Sequence, residues 1–388
     1  YNLTTGQKLT LNEDGTRKLI DGLPDPDAIV SGDFDAADLS IGLFINNRGK
    51  AAVTGDDNDI IINRQASALV NAGAGDDKIF NFAATAVKLE GGGGNDSVYS
   101  LGLTTNTTID VSGGNSYVKL YGNMIGGSIN LGGGTNFVDA AGQTLAGVKI
   151  SDAPGALASA IVARTISSRS QITVAAAQAA VDAGLLSSST INFGSGANSL
   201  VVNQIKGTAT DKSNITSKGV DTYKLGTVSF ANIDSTAAVS DAMKITGAVS
   251  DSQFNLSGGN NTLNAAGQTL KAVKITSKEG GTGSTAIIAG NLVGRNQQDG
   301  MSEIKLAGGE AGNSVEVAKL VRNAKVETGK GAGTFKAGRA ESLTLTMGGA
   351  GSDKAQNVQI NGPAVSFNYT GSSGDDALRI MGGVSNSN

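Results

Sequence analysis

One block of sequence recurs along the chain and limits the possible folds more than any other feature. It consists of an aliphatic residue, a polar residue, a Gly-rich loop, an Asp or Asn, one further residue and a second aliphatic residue. Clear copies begin at Val70, Leu89, Ile109 and Ile129, which gives a period of about 19–20 residues. This period is typical of one coil of a parallel β-solenoid that has two short strands and two turns.

The block returns over most of the chain. Further copies span residues 191–200 and 254–263, and a copy with a small insertion spans 304–315. Residues 128–150 also match residues 253–275 at a fixed offset of 125 positions, and both segments contain the letters AAGQTL. A coincidence does not explain six identical letters in register, so the two halves of the chain are related by duplication.

Glycine and the aliphatic residues have complementary uses in such a coil. Gly accounts for 56 of the 388 residues, and hydrophobic residues make up 39% of the chain. Glycine supplies the positive φ angles of tight corners, while alternating apolar residues point into a stacked core. The sequence therefore predicts an all-β fold, a parallel β-solenoid with about 18–20 residues per coil.

Two segments have a different pattern and predict helices. Residues 172–186 are rich in Ala, and Val174, Val181 and Leu185 would share one helical face. Residues 315–325 predict a second short helix. The predicted regions are an N-terminal β region with an acidic loop (1–53), a β-solenoid (54–150), a helical insertion (151–190) and a second, degenerate solenoid (191–388).

The residue types that are missing exclude several chemistries. With no Cys and no His, the chain cannot form a Ser-His-Asp triad, a Cys-His pair or an HExxH zinc site. The sequence therefore predicts that the protein is not an enzyme. A β-helix polysaccharide lyase or glycosidase that uses Asp, Lys, Arg and bound Ca²⁺ is an alternative, but the strands are expected to lack the exposed aromatic and basic residues that hold a sugar chain.

The charge balance indicates which partners to expect. A formal charge of −4 and a pI near 5.0 leave no basic patch for nucleic acid. No apolar run approaches the length of about 18 residues that a membrane-spanning helix requires. Cations are therefore expected to bind, whereas nucleic acids and a membrane span are not.

Three consecutive loops resemble a known family, the repeats-in-toxin proteins, whose nonapeptide reads G-G-x-G-x-D-x-aliphatic-x. Residues 91–99 match every fixed position, and residues 72–80 match all but the first Gly. Residues 54–62 keep the second Gly, the Asp and the aliphatic residue. The resemblance implies a Ca²⁺-binding β-roll over this part of the chain.

The sixth position of each nonapeptide is the predicted center of Ca²⁺ binding. Asp59, Asp77 and Asp96 follow one another at the period of the repeat, so stacked coils would bring their carboxylates into one row. Ca²⁺ takes six to eight oxygen ligands, which carboxylates and the carbonyls of Gly-rich turns can supply. Good turn formation alone explains any single Gly-Asp loop, but not three in register. The candidate metal-site residues are Asp57, Asp59, Gly73, Gly75, Asp76, Asp77, Gly91, Gly92, Gly94, Asp96 and Asp376.

Later coils depart from the family at this position. They carry uncharged residues, for which we expect amide ladders instead of ions: Ser116, Asn136, Asn198, Asn261 and Asn313. Asp376 restores the acidic residue near the end of the sequence. A separate acidic cluster is interpreted as a solvated loop, with a further Ca²⁺ site as the alternative: Asp21, Asp25, Asp27, Asp33, Asp35 and Asp38.

The degenerate loops are similar to those of the surface-layer branch of the family. That resemblance implies type I secretion, folding outside the cell with Ca²⁺ as cofactor, and a location at the cell surface. The open ends of a solenoid favor self-assembly into a layer or filament, so the expected partners are further copies of the chain and a cell-surface polysaccharide. The alternatives are an adhesin or glycan-binding module and, less favored, a lyase or the tail of a secreted enzyme.

Overall fold

The chain is an all-β parallel solenoid of about 16 turns. A computed structural model describes residues 34–35, 42–235, 240–256, 258–277, 283–296, 300–307, 312–349 and 352–388. These residues divide into two compact units, with the boundary between Ala183 and Gly184. The predicted fold class is confirmed in both units.

The strands of the first unit are β1 (Phe34–Asp35), β2 (Phe44–Asn47), β3 (Ala51–Val53), β4 (Ile60–Asn63), β5 (Leu69–Asn71), β6 (Lys78–Asn81), β7 (Lys88–Glu90), β8 (Ser97–Ser100), β9 (Thr104–Val111), β10 (Tyr117–Leu120), β11 (Met124–Leu131), β12 (Thr135–Ala146), β13 (Lys149–Ser151), β14 (Ala158–Ser167) and β15 (Gln171–Val174). Strand β16 (Gln178–Ser187) contains the boundary.

The strands of the second unit are β17 (Thr190–Phe193), β18 (Ala197–Lys206), β19 (Ser213–Ser217), β20 (Val220–Ser229), β21 (Ala231–Ser235), β22 (Ala242–Ile245), β23 (Val249–Ser250), β24 (Gln253–Leu256), β25 (Asn261–Lys271), β26 (Lys274–Ser277), β27 (Thr285–Val293), β28 (Ser302–Lys305), β29 (Ser314–Glu327), β30 (Thr334–Thr346), β31 (Asn357–Ile360), β32 (Ala364–Thr370), β33 (Ala377–Ile380) and β34 (Val384–Ser385).

The core of the first unit is built from columns of aliphatic residues. Each strand pairs in parallel with the equivalent strand one coil away, so every inward residue lies on its counterpart. One column, at most 1% exposed, contains Ile45, Ile61, Ile79, Val98, Val118 and Val138. The period of the repeat therefore sets the register of the core.

The second unit is built in the same way. Its clearest column, also at most 1% exposed, contains Ile191, Ile215, Ile233, Phe254, Ile275, Ile304, Val326 and Leu345. Some coils here are longer than those that carry the nonapeptides, and the strand pairs β25–β27, β27–β29 and β29–β30 contain register shifts that absorb the extra residues.

The predicted helices are wrong, and with them the helical insertion at 151–190. Residues 172–174 lie in β15 and residues 178–186 in β16, where buried residues alternate with more exposed ones over most of each strand. Ala176, Ala179 and Ala183 are buried while other Ala residues are exposed, and pairing between coils overrides their helix propensity. Residues 315–325 likewise lie within β29, with Val315, Val317 and Val321 buried. The described residues contain no helix.

Much of the predicted N-terminal region lies outside the described residues. Asp21, Asp25, Asp27, Asp33 and Asp38 of the acidic cluster fall there, and Asp35 ends β1. Strands β2 and β3 are the other described strands before residue 54.

Candidate functional site

The three sixth-position carboxylates form one row inside the first unit. Asp59, Asp77 and Asp96 each lie directly before a strand (β4, β6 and β8, respectively), and each residue is at most 2% exposed. Strand pairing in register stacks these three strands. We call these residues the acidic row.

Each carboxylate of the acidic row accepts a backbone hydrogen bond from the coil before it. Oδ1 of Asp59 accepts the N–H of Leu43 at 2.5 Å, and Oδ1 of Asp77 accepts the N–H of Asp59 at 2.7 Å. Oδ1 of Asp96 accepts the N–H of Asp77 at 3.1 Å. One oxygen of each residue therefore has a structural role in holding neighboring coils together.

The second oxygen of two of these residues is buried without a partner. Oδ2 of Asp77 and Oδ2 of Asp96 have almost no accessible surface and accept no hydrogen bond from the part of the chain that the structure describes. Burial, with the nearby charges of Asp96, Asp59 and Asp76, raises the pKa of Asp77 to about 8 despite the hydrogen bond from Asp59. Burial and the charge of Asp76 raise the pKa of Asp96 to about 6. A buried anionic oxygen of this kind needs a proton or a cation.

Glycine is required in these loops because adjacent coils approach closely. A Cβ atom on Gly92 would lie 1.7 Å from the carbonyl oxygen of Gly73, and one on Gly94 would lie 2.0 Å from that of Gly75. Gly92 and Gly94 also have φ angles of +92° and +107°, which side chains rarely adopt. The positive φ angles and the close approach of adjacent coils are therefore sufficient to explain why glycine occupies these two positions.

Gly91 has a different role, in making room for the acidic row. Its backbone does not have a positive φ, but a Cβ atom there would lie 2.4 Å from Oδ2 of Asp96. The carboxylate occupies the space that a side chain would fill. Gly91 therefore forms the floor of the pocket that holds the oxygen without a partner.

Asp57 and Asp76, two further acidic candidates, lie outside this pocket. Asp57 is partly exposed, and Asp76 is exposed. Oδ1 of Asp76 accepts the N–H of Asn95 at 2.7 Å, while the N–H of Asp76 is donated to Oδ1 of Asn58 at 2.7 Å. Asn58 and Asp76 thus form an outer row. Their side-chain oxygens accept backbone N–H groups from the following coil, whereas those of the acidic row accept them from the preceding coil.

The loops contain the oxygen donors that a hard cation such as Ca²⁺ prefers, but they do not form a complete set of ligands around one point. The described residues contain no group of three acidic side chains placed to share an ion. Two loop carbonyls, those of Gly55 and Gly73, accept backbone hydrogen bonds from Ala74 and Gly93 in the next coil. Among the acidic row, the oxygens left to bind a Ca²⁺ ion are the buried Oδ2 atoms of Asp77 and Asp96.

Asp376 occupies the equivalent position in the last coil but has a full set of partners. Its Oδ1 accepts the N–H of Gln356 at 3.1 Å, and its Oδ2 accepts the N–H of Ser372 at 2.8 Å and the hydroxyl of Tyr369 at 3.1 Å. Partial burial opposes ionization, but these hydrogen bonds outweigh it and lower the pKa of Asp376. Asp376 therefore needs no cation to be stable as an anion.

Uncharged residues perform the same structural task in other coils. Oδ1 of Asn136 accepts the N–H of Ser116 at 3.2 Å, and Oδ1 of Asn261 accepts the N–H of Asp241 at 3.2 Å. Oδ1 of Asn313 accepts the N–H of Thr285 at 2.7 Å. In these coils an amide oxygen thus replaces the carboxylate oxygen. It accepts a hydrogen bond from a backbone N–H, whereas the predicted amide ladder would require the side-chain amide of another residue.

Sequence reasoning missed a buried carboxylate in the second unit. Asp221 is 1% exposed and pairs in register with Asn198. It accepts hydrogen bonds at 2.7–3.0 Å from four side chains, those of Asn198, Ser217, Tyr223 and Ser235. The spacing Gly219-x-Asp221-x-Tyr223 could have revealed it, but Tyr stands in the place of the aliphatic residue.

A buried asparagine ladder in the first unit was also missed. Asn47, Asn63 and Asn81 are fully buried at the ends of β2, β4 and β6. Nδ2 of Asn47 donates to Oδ1 of Asn63 at 3.1 Å, and Nδ2 of Asn63 donates to Oδ1 of Asn81 at 2.9 Å. The signal in the sequence is an Asn two positions after each inward Ile. This ladder is a second polar contact that aligns the coils.

Aromatic side chains line one outer face of the first unit, contrary to the expectation that the strands lack them. The rings of Phe80 and Tyr99 stack at 4.9 Å, and those of Tyr117 and Phe137 lie 5.9 Å apart. We call these four residues the aromatic strip.

Two further aromatic residues of the first unit are more exposed to solvent. Phe82 is 48% exposed, and the guanidinium group of Arg64 lies 4.4 Å from the center of its ring. Tyr121 is 54% exposed, with the ammonium group of Lys119 at 5.4 Å. Cations over aromatic faces stabilize this surface modestly.

A groove of about 640 Å³ in the second unit bears on the possibility that the chain is a glycosidase. Among its described lining residues, Glu327 is the one carboxylate, and it forms an ion pair with Lys325 at 2.6 Å. Glycoside hydrolysis generally uses two carboxylates that flank the scissile bond. The groove therefore offers no acid pair for that chemistry.

No protein-family model, curated protein or solved structure matches this chain. The resemblance to the repeats-in-toxin nonapeptide therefore stays a prediction based on residues 54–99. The described residues contain no helix that is long and apolar enough to cross a membrane.

Proposed function

We propose that the chain is an extracellular structural protein of the repeats-in-toxin type, which folds with Ca²⁺ and self-assembles into a surface layer or filament. The observation that supports this proposal is the acidic row. Asp77 and Asp96 each bury one carboxylate oxygen that accepts no hydrogen bond from the described residues. A divalent cation would balance the charge of these oxygens and accept them as ligands.

Calcium binding would then make folding depend on the Ca²⁺ concentration of the compartment. Folding without a cation must bury stacked carboxylates or protonate them, and both cost free energy at neutral pH. A ligand that binds only the folded chain stabilizes it by mass action. Low cytosolic Ca²⁺ would keep the chain unfolded for export, and extracellular Ca²⁺ would drive its folding.

The fold also suits an assembling protein. Each coil contacts its neighbors through parallel strand pairing, and a strand at the end of such a stack can pair with another chain. Repetition of one contact between identical chains produces filaments, and a second contact produces sheets. Ordered material seen by electron microscopy in Ca²⁺ and absent in EGTA is the expected result.

Thermal unfolding in Ca²⁺ and in EGTA tests the role of the cation. We expect Asp77→Asn with Asp96→Asn to remove most of the Ca²⁺-dependent rise in Tm while keeping the fold, because the amide oxygen retains the acceptor role seen at Asn136. The matched control is Asp76→Asn, which changes an exposed carboxylate of the same coil and should keep the dependence. Equal Tm of the wild-type chain in both buffers would refute the proposal of a calcium role.

A glycan-binding module is the second candidate, and the aromatic surface favors it. Phe82 and Tyr121 expose ring surface on which a sugar could pack, although the rings of the aromatic strip cover one another. Affinity electrophoresis through gels that contain bacterial polysaccharides would measure this binding. Retardation that Phe82→Ala with Tyr121→Ala abolishes would support the module, and unchanged mobility across the panel would exclude it.

A further inference from the structure

A column of cationic and apolar residues crosses successive coils at one corner of the first unit. Its members directly follow the ends of β2, β4, β6, β8 and β10, and the last residues of these strands pair in register. After the first member, each one donates its backbone N–H to the carbonyl that ends the strand of the coil before, at 2.8–2.9 Å. The corner column consists of Arg48, Arg64, Phe82, Leu101 and Tyr121.

The two arginines of the corner column carry charges that the described residues do not balance. Arg48 and Arg64 are exposed and lie one coil apart, and paired strands are separated by about 4.8 Å. The ion pairs of the described residues include neither arginine. Like charges in register on neighboring strands are destabilizing, so an anion placed at both guanidinium groups would be held favorably.

The rest of the corner column is apolar. Phe82 is 48% exposed and Tyr121 is 54% exposed, and the guanidinium group of Arg64 lies 4.4 Å from the center of the Phe82 ring. Lys119, the cation near Tyr121, already forms an ion pair with Asp139. The column therefore offers two cations with no counterion among the described residues at one end and exposed rings beyond them.

We infer that the corner column binds a glycan that carries carboxylates. A guanidinium group donates two parallel N–H bonds to a carboxylate, and the apolar face of a sugar ring can pack on Phe82 and Tyr121. Charge complementarity favors an acidic glycan over a neutral one. Nucleic acid fits less well, because its dense phosphates require a longer basic surface than two arginines on a chain of net charge −4.

This inference rests on the second candidate function, the glycan-binding module, and names the class of glycan and the residues that select it. The test measures the affinity of the chain in Ca²⁺ for hyaluronan oligosaccharides, which carry a carboxylate on alternate sugars. The same oligosaccharides with methyl-esterified carboxyl groups are the neutral comparison. We expect the acidic form to bind about tenfold more tightly than the ester, and this advantage to shrink as NaCl is added.

Substitution of the arginines should remove the preference for the acidic form. Arg48→Gln with Arg64→Gln should lower its affinity to that of the ester. The matched control is Arg164→Gln, which removes an exposed arginine elsewhere in the first unit and should keep the wild-type affinity. Phe82→Ala with Tyr121→Ala should weaken binding of both forms alike, because contacts with the rings do not depend on the charge of the glycan.

Thermal unfolding provides the control for folding. The double Gln variant should have the same Tm as the wild type, because both arginines are exposed. Should it fold poorly, Arg48→Lys with Arg64→Lys replaces it. That variant keeps the charges but loses the planar fork of donors, so it should still bind the acidic form more weakly than the wild type does.

The possible failures are distinguishable. If the ester binds as tightly as the acidic form and the arginine variants change nothing, this inference is overturned, and the glycan-binding module stands. Equally tight binding of single-stranded DNA or of phosphatidylglycerol vesicles through the same arginines would also overturn it, since the column would then bind anions in general. If neither form of hyaluronan binds, the inference fails, and electrophoresis through bacterial polysaccharides decides separately whether the chain binds glycans at all.

Discussion

The coils that carry Asp96 and Asp376 place a carboxylate at the same position of the repeat but surround it differently. In both coils Oδ1 accepts a backbone N–H from the coil before, that of Asp77 or of Gln356, at 3.1 Å. Oδ2 of Asp96 is buried without a partner, whereas Oδ2 of Asp376 accepts the hydroxyl of Tyr369. The pKa of Asp96 is raised to about 6, and that of Asp376 is lowered.

The floor of the pocket is the same in the two coils. A Cβ on Gly91 would lie 2.4 Å from Oδ2 of Asp96, and a Cβ on Gly371 would lie 2.0 Å from Oδ2 of Asp376. The difference therefore arises from the side chains around the carboxylate and from its exposure. An Asp at this position of the repeat accepts a backbone N–H from the preceding coil. The residues around the carboxylate then determine whether its second oxygen also needs a cation.

The largest expected effect comes from removing the acceptor altogether. Asp77→Ala with Asp96→Ala leaves the buried N–H groups of Asp59 and Asp77 without partners, which costs about 1–3 kcal/mol for each group. Asp376→Ala should cost less, because Asp376 is only partly buried and water can occupy the space that its side chain leaves. Urea unfolding in EGTA measures both losses.

The two Asn variants provide the control for these losses, since they keep an acceptor oxygen. Asp77→Asn with Asp96→Asn should retain more stability than the double Ala variant. If the Asn and Ala variants lose the same stability, the hydrogen bonds from Asp59 and Asp77 do not hold the coils together.

The next effect is a pair of opposite pH dependences in the absence of Ca²⁺. Because the pKa of Asp77 is raised to about 8, its contribution is fully present below its ordinary value of 3.8 and is lost as the pH rises through about 8. Because the pKa of Asp376 is lowered, its contribution is present above 3.8 and is lost as the pH falls below that value.

Unfolding free energies measured across this pH range separate the two groups. Asp77→Asn should reduce the fall in stability between about pH 4 and about 8, leaving the part that the raised pKa of Asp96 causes up to about pH 6. Asp376→Asn should flatten only the loss at acid pH. Added Ca²⁺ should also remove the fall at higher pH in the wild-type chain. A fall that persists unchanged in Asp77→Asn would show that other groups cause it.

The smallest expected effect tests why Asp376 needs no cation. Tyr369→Phe removes one donor to Oδ2 of Asp376, but the N–H of Ser372 remains, so the loss should be about 1 kcal/mol. The pKa of Asp376 should rise, which NMR titration of its carboxyl carbon would detect. An unchanged pKa would mean that Tyr369 does not help to stabilize the anion.

The two predicted helices show where local patterns mislead in this fold. Residues 172–186 have the Ala content of a helix, and their alternation of period two is easy to overlook because Ala occupies both faces. Pairing with neighboring coils satisfies the backbone of β15 and β16 in a way that local propensity cannot anticipate.

Spacing along the sequence was enough to predict the solenoid, the length of its coils and the stacking of Asp59, Asp77 and Asp96 in one row. A repeat of nearly constant length places equivalent residues over one another, so these features need no knowledge of tertiary contacts. Which carboxylate oxygens are satisfied depends instead on the folded structure. Asp96 and Asp376 each accept a backbone N–H from the coil before, but the N–H of Ser372 and the hydroxyl of Tyr369 reach Oδ2 of Asp376 alone. No spacing within the nonapeptide reveals these additional donors.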